Sequence, residues 1–312
     1  MHNIAIITTA FGNGLQDREN SYAALADDLG LRIRYCTKDE LIADSKGIEG
    51  VIVGVEIADE RLFSCPDLKV AMKFGVGLDN FDMESAEKEH VQVVNMPGIN
   101  SDAVAEMTIT LMLCVSRMIL PMARCLSEGN FVQHCSHTVQ YKKLGIIGMG
   151  TIGQKVAKVA AALGMECLGY DIRPLEAEGV TMVNLPTLFS QSDVITVHIP
   201  LMEATRHLIG EEAFSLMKPG VILVNTSRGG VVDDNELYQR LQDGRIMGAG
   251  LDVFENREIR SKLAALENVV CTPHVAAYTH ETLRFMEDTA LKKIKACMAG
   301  ESFNDISKGG NV

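Results

Sequence analysis

The feature that most constrains the fold is a glycine-spaced turn between an apolar strand and a helical segment. The strand, residues 144–147, leads into Gly148-x-Gly150-x-x-Gly153, and a second apolar strand further on ends at Asp171. Gly148 permits a tight turn, Gly150 lets a pyrophosphate approach the backbone, and Gly153 lets the helix pack closely on the strand. An acidic residue at the end of the second strand can accept hydrogen bonds from a ribose. This order predicts a dinucleotide-binding site, with the phosphates at the helix N-terminus.

Composition excludes several classes of partner. The 312 residues carry a formal net charge of −12, which argues against nucleic acid or an anionic membrane as the main partner. The longest apolar stretch, 107–120, is too short to span a membrane and contains Arg117, so it predicts a buried helix.

The eight cysteines are scattered and form no CxxC pair, which is typical of a reduced, cytoplasmic protein. The cluster His134-Cys135-Ser136-His137 has no second ligand pair at a recognised spacing, so no metal is predicted.

Short apolar runs alternate with helical patterns along the chain. They predict strands at 4–8, 31–35, 51–53, 70–73, 91–94, 144–148, 166–170, 194–198, 221–225, 247–251 and 269–271. Long helices are expected near 103–120 and 279–297, with a break between the two strand series at 95–98. Such alternation predicts α/β architecture, with parallel sheets covered by helices on both faces.

Polar residues follow the strands of the second series, at the sheet edge where open α/β folds bind ligands. Arg228 can hold a carboxylate through two parallel hydrogen bonds, and Gly229 and Gly230 beside it are expected to leave room for the ligand. His274 can protonate an alkoxide as a hydride arrives at the adjacent carbon. The alternatives are an interdomain salt bridge for Arg228 and a core histidine with satisfied hydrogen bonds for His274.

Further motifs share the order found in one family. They include Lys73-Phe-Gly75-Val76-Gly77-Leu-Asp-Asn80, Met96-Pro-Gly-Ile-Asn100, Ala103-Val-Ala-Glu106, His198-Ile199-Pro200-Leu, Asn225-Thr226-Ser227-Arg228-Gly, Leu251-Asp252-Val-Phe254 and Thr272-Pro-His274. Together with the glycine turn, they make nearly the whole chain similar to the D-isomer-specific 2-hydroxyacid dehydrogenases.

The resemblance implies two doubly wound parallel-sheet domains. Residues 1–100 with 281–312 would form a flavodoxin-like substrate domain, and residues 101–280 an inserted Rossmann NAD-binding domain. The cofactor would be NAD, because the carboxylate of Asp171 would repel the 2′-phosphate of NADP. The helix near 103–120 would be the contact of a homodimer.

The same resemblance implies a set of site residues. Catalysis would use Arg228, His274 and a glutamate. Cofactor contacts would come from Gly148, Gly150, Thr151, Ile152, Gly153, Asp171, His198, Ile199, Pro200, Thr226, Ser227, Arg228, Asp252, His274 and Ala276. Substrate contacts would come from Lys73, Gly75, Val76, Gly77 and Arg228.

The sequence departs from the family pattern at the catalytic glutamate. The family has it five residues after the Asp of Leu-Asp-Val-Phe, where this chain has Arg257. Glu258 is the predicted replacement, with Glu255 as the second choice. A second departure concerns substrate: Lys73 could bind a phosphate or a second carboxylate, whereas Glu56 would repel either.

The leading hypothesis is an NAD-dependent oxidoreductase that interconverts a 2-oxo acid and a D-2-hydroxy acid, of the kind that includes phosphoglycerate dehydrogenases. One alternative is an NAD(H)-responsive binding protein similar to the corepressors that share this fold. Another is the same fold with unrelated chemistry, such as phosphite oxidation.

Overall fold

The computed structural model describes residues 1–12 and 21–301, so the end of the expected substrate domain, 302–312, lies outside the described residues. The chain divides into two compact units, residues 1–100 with 278–312 and residues 101–277. Each unit is built on its own parallel sheet. The expected fold class, two parallel-sheet α/β domains, is confirmed.

The first unit holds a five-stranded sheet in the order β2-β1-β3-β4-β5. Its strands are β1 (His2–Ile6), β2 (Leu31–Tyr35), β3 (Ile48–Val53), β4 (Val70–Lys73) and β5 (Gln92–Val94). The chain reverses its direction of winding between β1 and β3, so the loops after these two strands flank the point where such sheets bind ligands.

Helices cover both faces of this sheet. They are α1 (Ala23–Asp28), α2 (Lys38–Ala43), α3 (Glu60–Phe63), α4 (Met83–Lys88) and, from the end of the chain, α12 (His280–Met298). Thr37 and Glu40 form a capping box that starts α2. Gly50 lets α12 approach the sheet, since a Cβ there would lie 2.8 Å from Ile294.

The second unit holds a seven-stranded sheet in the order β12-β11-β10-β9-β6-β7-β8. Its strands are β6 (Lys143–Ile147), β7 (Glu166–Tyr170), β8 (Val180–Met182), β9 (Val194–Val197), β10 (Val221–Asn225), β11 (Ile246–Leu251) and β12 (Val269–Cys271). The winding reverses between β6 and β9, which places the glycine turn after β6 beside the loop after β9. Strand β8 was not predicted, because it has three residues and lies at the sheet edge.

Two apolar clusters, one on each face of this sheet, form the core of the unit. The helices are α5 (Ser101–Ser116), α6 (Ile119–Ser127), α7 (Thr151–Ala162), α8 (Leu185–Gln191), α9 (Glu211–Leu216), α10 (Asp234–Gln242) and α11 (Arg257–Ala264). Helix α5 packs on β11 where Gly250 leaves space for Leu111.

The single helix expected near 103–120 is wrong, because α5 ends at Ser116. Met118 takes a left-handed conformation (φ 51°), and α6 leaves at an angle of 63°. Pro121 explains the break, since a proline inside a continuous helix would lose a hydrogen bond and clash with the preceding turn. No single helix in the described part of the chain is long and apolar enough to cross a membrane; only the bent pair α5 and α6, taken together, reaches that length and composition.

Candidate active site

The glycine turn of the second unit has the geometry of a phosphate cradle. Gly150 precedes the first residue of α7, and a Cβ there would meet nothing within 4 Å. At Gly153, in contrast, a Cβ would lie 2.1 Å from the carbonyl oxygen of Gly148. Thr151 and Ile152 lie between these two glycines and begin the first turn of α7. The open space at Gly150 and the free N–H groups of this turn fit the pyrophosphate of a dinucleotide.

Asp171 closes the turn from the neighbouring strand. Its Oδ2 accepts the backbone N–H of Met149 at 2.9 Å, and its Oδ1 accepts the backbone N–H and the Nε of Arg173. The Arg173 guanidinium, followed by these backbone bonds, keeps the pKa of Asp171 below its usual range. The carboxylate is therefore ionised and held in place, which suits the predicted role as a ribose acceptor.

His198 and Ile199 line the opposite side of the glycine turn. A Cβ on Gly148 would lie 2.5 Å from the carbonyl oxygen of His198 and 2.7 Å from Ile199. The Nε2 of His198 is buried, and it has no hydrogen-bond partner among the described residues. Burial lowers the pKa of His198 to about 3, so the imidazole is neutral. Next in the chain, Pro200 uses its carbonyl oxygen to accept from Thr205.

The loop after β10 carries Arg228 on a braced backbone. Asn225, fully buried, donates to the carbonyl oxygen of Arg228 at 2.9 Å and accepts from both the N–H and the hydroxyl of Ser227. The hydroxyl of Thr226 bonds that of Thr108 on α5 at 2.8 Å. Side-chain bonds to Ser227, Thr226 and the Arg228 carbonyl oxygen therefore hold the backbone at Arg228 in place.

The expectation that Gly229 leaves room for a ligand is wrong. A Cβ at Gly229 would lie 2.0 Å from the carbonyl carbon of Phe254 and 2.5 Å from the nitrogen of Glu255. The space beside Gly229 is thus filled by the Phe254–Glu255 peptide of the segment that follows β11. At Gly230 a Cβ would meet Leu201 at 3.4 Å, which is ordinary contact.

Asp252 organises the loop that carries His274. Its carboxylate is fully buried and accepts from the Thr272 hydroxyl at 2.6 Å and from the N–H groups of Val275 and Ala276 at 2.8 and 2.9 Å. The carbonyl oxygen of Asp252 accepts the N–H of His274 at 2.9 Å. His274 itself has φ 57°, a left-handed conformation that costs a non-glycine residue energy and is held by its surroundings.

The two glutamates proposed as replacements have different environments. Glu258 lies in the first turn of α11, is largely exposed and pairs with Lys262, which lowers the pKa of the Glu258 carboxyl. Glu255 is more buried, and its Oε1 accepts from Arg206 at 2.9 Å and from His207 at 3.0 Å. The structure gives neither glutamate a hydrogen bond to His274 among its described contacts.

The first unit brings Lys73 to the end of β4, where it is 8% exposed. Its ammonium donates to Asn80 at 2.7 Å and to the carbonyl oxygen of Gly54. The Glu56 carboxylate folds back to accept the N–H of Gly54 at 2.8 Å. Lys73 thus braces the loop after β3, and the Glu56 carboxylate belongs to that same loop.

The other predicted substrate residues follow β4 directly. Gly75 has φ 142° and accepts the N–H of Met96, and Val76 accepts from Asn95 at 2.6 Å. Gly77 is half-buried. Sequence reasoning missed Asn225 as a brace and Asp234 behind the Arg228 loop; their positions after a strand and at a helix start were the only available signals.

Fold and site together define a class: an α/β enzyme with a nicotinamide dinucleotide site at the edge of a parallel sheet. The family model for the D-isomer specific 2-hydroxyacid dehydrogenase, NAD binding domain, matches residues 109–276. The chain belongs to the D-isomer-specific 2-hydroxyacid dehydrogenase family, which confirms the resemblance drawn from its motifs.

Individual relatives agree. The chain is 39% identical over 277 residues to hydroxypyruvate reductase of Thermotoga maritima, covering 86% of this chain and 90% of that protein. It is 37% identical over 286 residues to D-3-phosphoglycerate dehydrogenase of Methanocaldococcus jannaschii, covering 88% of this chain and 55% of that longer protein. The structure of D-lactate dehydrogenase from Aquifex aeolicus, complexed with NAD and lactic acid, matches with a TM-score of 0.83 at 32% identity, over 96% of each chain.

The chain is therefore an NAD-dependent oxidoreductase of the 2-hydroxy acid and 2-oxo acid couple, as the sequence predicted. These relatives give no support to the corepressor-like alternative.

Proposed function

We propose that this enzyme reduces small, unphosphorylated 2-oxo acids to D-2-hydroxy acids with NADH. The observation that carries the proposal is the bonding of Asp252, whose buried carboxylate fixes the loop of His274 at the sheet edge shared with the glycine turn. That edge also carries Arg228, so a carboxylate partner, a proton donor and the cofactor cradle belong to one set of loops.

The bound nicotinamide would supply a hydride to the carbonyl carbon of the substrate. Arg228 would bind the substrate carboxylate, since its guanidinium can form two parallel hydrogen bonds to it. His274 would donate a proton to the carbonyl oxygen as negative charge develops there. Asp252 would hold the histidine backbone throughout, and Glu255, more buried than Glu258, is the better candidate for a supporting acid.

The charges at the ligand-binding edge of the first unit support an unphosphorylated substrate. Lys73 is buried, and two of the three N–H groups of its ammonium already donate to Gly54 and Asn80, so it mainly braces this loop. Glu56 adds a negative charge in the same loop. Residues 75–77 remain the predicted substrate contact of this unit.

The test is NADH oxidation by the purified protein with glyoxylate, hydroxypyruvate, pyruvate and 3-phosphohydroxypyruvate. We expect turnover of unphosphorylated acids, abolished by His274→Ala. His90→Ala is the matched control, because His90 is exposed and has the same φ of 57° in the first unit. A preference for the phosphorylated acid would overturn the substrate assignment.

We also propose a cytoplasmic homodimer. Several large apolar side chains of α6 and the segment after it are exposed: Ile119, Leu120, Leu126, Phe131 and Val132. Burying such a surface against a second copy would remove apolar area from water. Light scattering should give twice the chain mass, and Leu126→Glu should reduce it to the mass of one chain.

A further inference from the structure

A buried carboxyl group that the proposed chemistry does not use lies behind the Arg228 loop. Asp234, the first residue of α10, is 1% exposed. Its Oδ2 accepts the backbone N–H of Glu255 at 2.7 Å. Its Oδ1 is buried and has no hydrogen-bond partner within residues 1–12 and 21–301. Buried polar atoms nearly always have partners, so this one requires an explanation.

The peptide that Asp234 holds is the surface on which the Arg228 loop rests. Gly229 packs so closely on the Phe254–Glu255 peptide that a Cβ would lie 2.5 Å from the Glu255 nitrogen. There is no room for even a methyl group between Gly229 and this peptide, and groups packed so closely cannot move independently. A displacement of the Glu255 N–H therefore displaces Gly229 and, with it, Arg228.

We propose that Asp234 is a positioning residue, which fixes the Glu255 peptide and through Gly229 the direction of Arg228, and that ionisation of Asp234 loosens this brace. The inference rests on the proposed role of Arg228 as the partner of the substrate carboxylate. Either form of Asp234 can accept the Glu255 N–H through Oδ2, but ionised Asp234 would also bury negative charge on Oδ1, which has no hydrogen-bond partner among the described residues.

Burial and two neighbouring carboxylates oppose ionisation of Asp234. Burial, with smaller contributions from Glu255 and Asp233, raises the pKa of Asp234 to about 7, although the Glu255 N–H and His207 act in the opposite direction. The Cys271 thiol also faces this group, and burial followed by Asp234 raises its pKa to about 11. Ionisation near neutrality would thus add a negative charge beside two existing carboxylates.

The test compares Asp234→Asn with the unaltered enzyme across pH values on both sides of neutrality. Asparagine retains an acceptor for the Glu255 N–H but cannot ionise. As the pH rises above neutrality, we expect the KM for glyoxylate or hydroxypyruvate to increase in the unaltered enzyme. The increase should be about tenfold larger than in the variant, which corresponds to about 1.4 kcal/mol. All other titratable groups are common to both proteins, so the difference between them is the readout. The KM for NADH should not follow this pattern.

Two further variants separate positioning from general damage. Asp234→Ala removes the acceptor and should raise the KM for the 2-oxo acid at every pH. Asp193→Asn is the matched control, because Asp193 also accepts a backbone N–H, that of Lys143 at 2.8 Å. Asp193 precedes β9 and so lies at the amino ends of the strands, away from the edge that carries Arg228. This control should leave the pH dependence of KM unchanged.

Binding of oxamate to the enzyme–NADH complex, followed by NADH fluorescence, separates the two proposals. Turnover with identical pH dependence in Asp234→Asn and the unaltered enzyme would overturn the role of Asp234 and leave the function standing. A second outcome is that no 2-oxo acid is turned over, while oxamate binding depends less on pH in the variant than in the unaltered enzyme. That outcome would support the positioning role of Asp234 and overturn the proposed function. Neither turnover nor oxamate binding would overturn both.

Discussion

The Nε of Arg173 donates to the Oδ1 of Asp171 at 3.1 Å, at the strand end predicted to bind the adenosine ribose. The two members of the pair differ in exposure: the Asp171 side chain is 8% exposed and that of Arg173 is 68% exposed. Asp171 is anchored to the glycine turn through the N–H of Met149, while the guanidinium faces solvent. We therefore expect cofactor choice to depend on a largely buried negative charge with an exposed positive charge beside it.

We predict a preference for NADH over NADPH that Asp171→Asn reduces. Asparagine still accepts the N–H of Met149 but no longer repels a 2′-phosphate. The ratio of kcat/KM for the two cofactors should fall by about tenfold, equivalent to about 1.4 kcal/mol. Arg173→Ala is the companion variant and should weaken use of NADPH only. A higher kcat/KM with NADPH in the unaltered enzyme would contradict the prediction.

Two glycines of the cofactor turn should respond differently to alanine. Gly150→Ala meets no protein atom within 4 Å, so we expect an unchanged melting temperature but weak NADH binding, because the methyl group occupies the path of the pyrophosphate. Gly153→Ala drives a methyl group to 2.1 Å from the Gly148 carbonyl oxygen and should lower stability as well. Calorimetry with NADH titration separates the two effects. Equal NADH affinity for Gly150→Ala and the unaltered enzyme would exclude this cradle.

The sequence predicted the structure of this turn correctly because that structure depends on local order. Strand, glycines, helix and acid follow one another within residues 144–171, and parallel strands bring their carboxyl ends to one edge. The same rule predicted that the loops of His198, Arg228, Asp252 and His274 follow strands of one sheet.

Gly229→Ala should be much more harmful than Gly230→Ala, although the two residues are adjacent. The first methyl group would overlap the Phe254 carbonyl carbon at 2.0 Å, whereas the second would touch Leu201 at 3.4 Å. Overpacking of this kind costs about 1–3 kcal/mol or more. We expect Gly229→Ala to lose most of its kcat/KM and several degrees of melting temperature. Similar values for both variants would show that the loop after β11 yields easily.

The contact between Gly229 and the Phe254–Glu255 peptide could not be predicted from the sequence. The two segments are distant along the chain, and no periodic pattern links them. Asp234 was equally hidden, since an aspartate at the start of a helix is usually a solvated first-turn residue. The break after Ser116 had a signal in Pro121, but the apolar run around it favoured one continuous helix.

In the first unit, Glu287 of α12 should be essential for stability. It is 1% exposed, accepts the N–H of Gly12 at 2.6 Å and also bonds the hydroxyl of Tyr22. Glu287→Ala leaves these donors without their carboxylate, at a cost of about 1–3 kcal/mol for a buried unsatisfied group. Urea unfolding measures the loss. Glu281→Ala, at an exposed position of the same helix, should show little change, and equal losses would refute the role of Glu287.

Asp234 should make the protein less stable as pH rises towards neutrality. Its pKa in the folded state, about 7, lies above that of an aspartate in the unfolded chain, about 4. The folded state therefore holds the proton more tightly. Its contribution to the free energy of unfolding is fully present below about pH 4 and is lost as pH rises through about 7. Each pKa unit corresponds to about 1.4 kcal/mol.

The variant Asp234→Asn tests this prediction, because asparagine does not titrate. Between these pH values the free energy of unfolding of the variant should rise relative to that of the unaltered enzyme. Urea unfolding of both proteins at each pH gives the difference, in which other titrating groups cancel. A difference independent of pH would mean that Asp234 is ionised throughout this range.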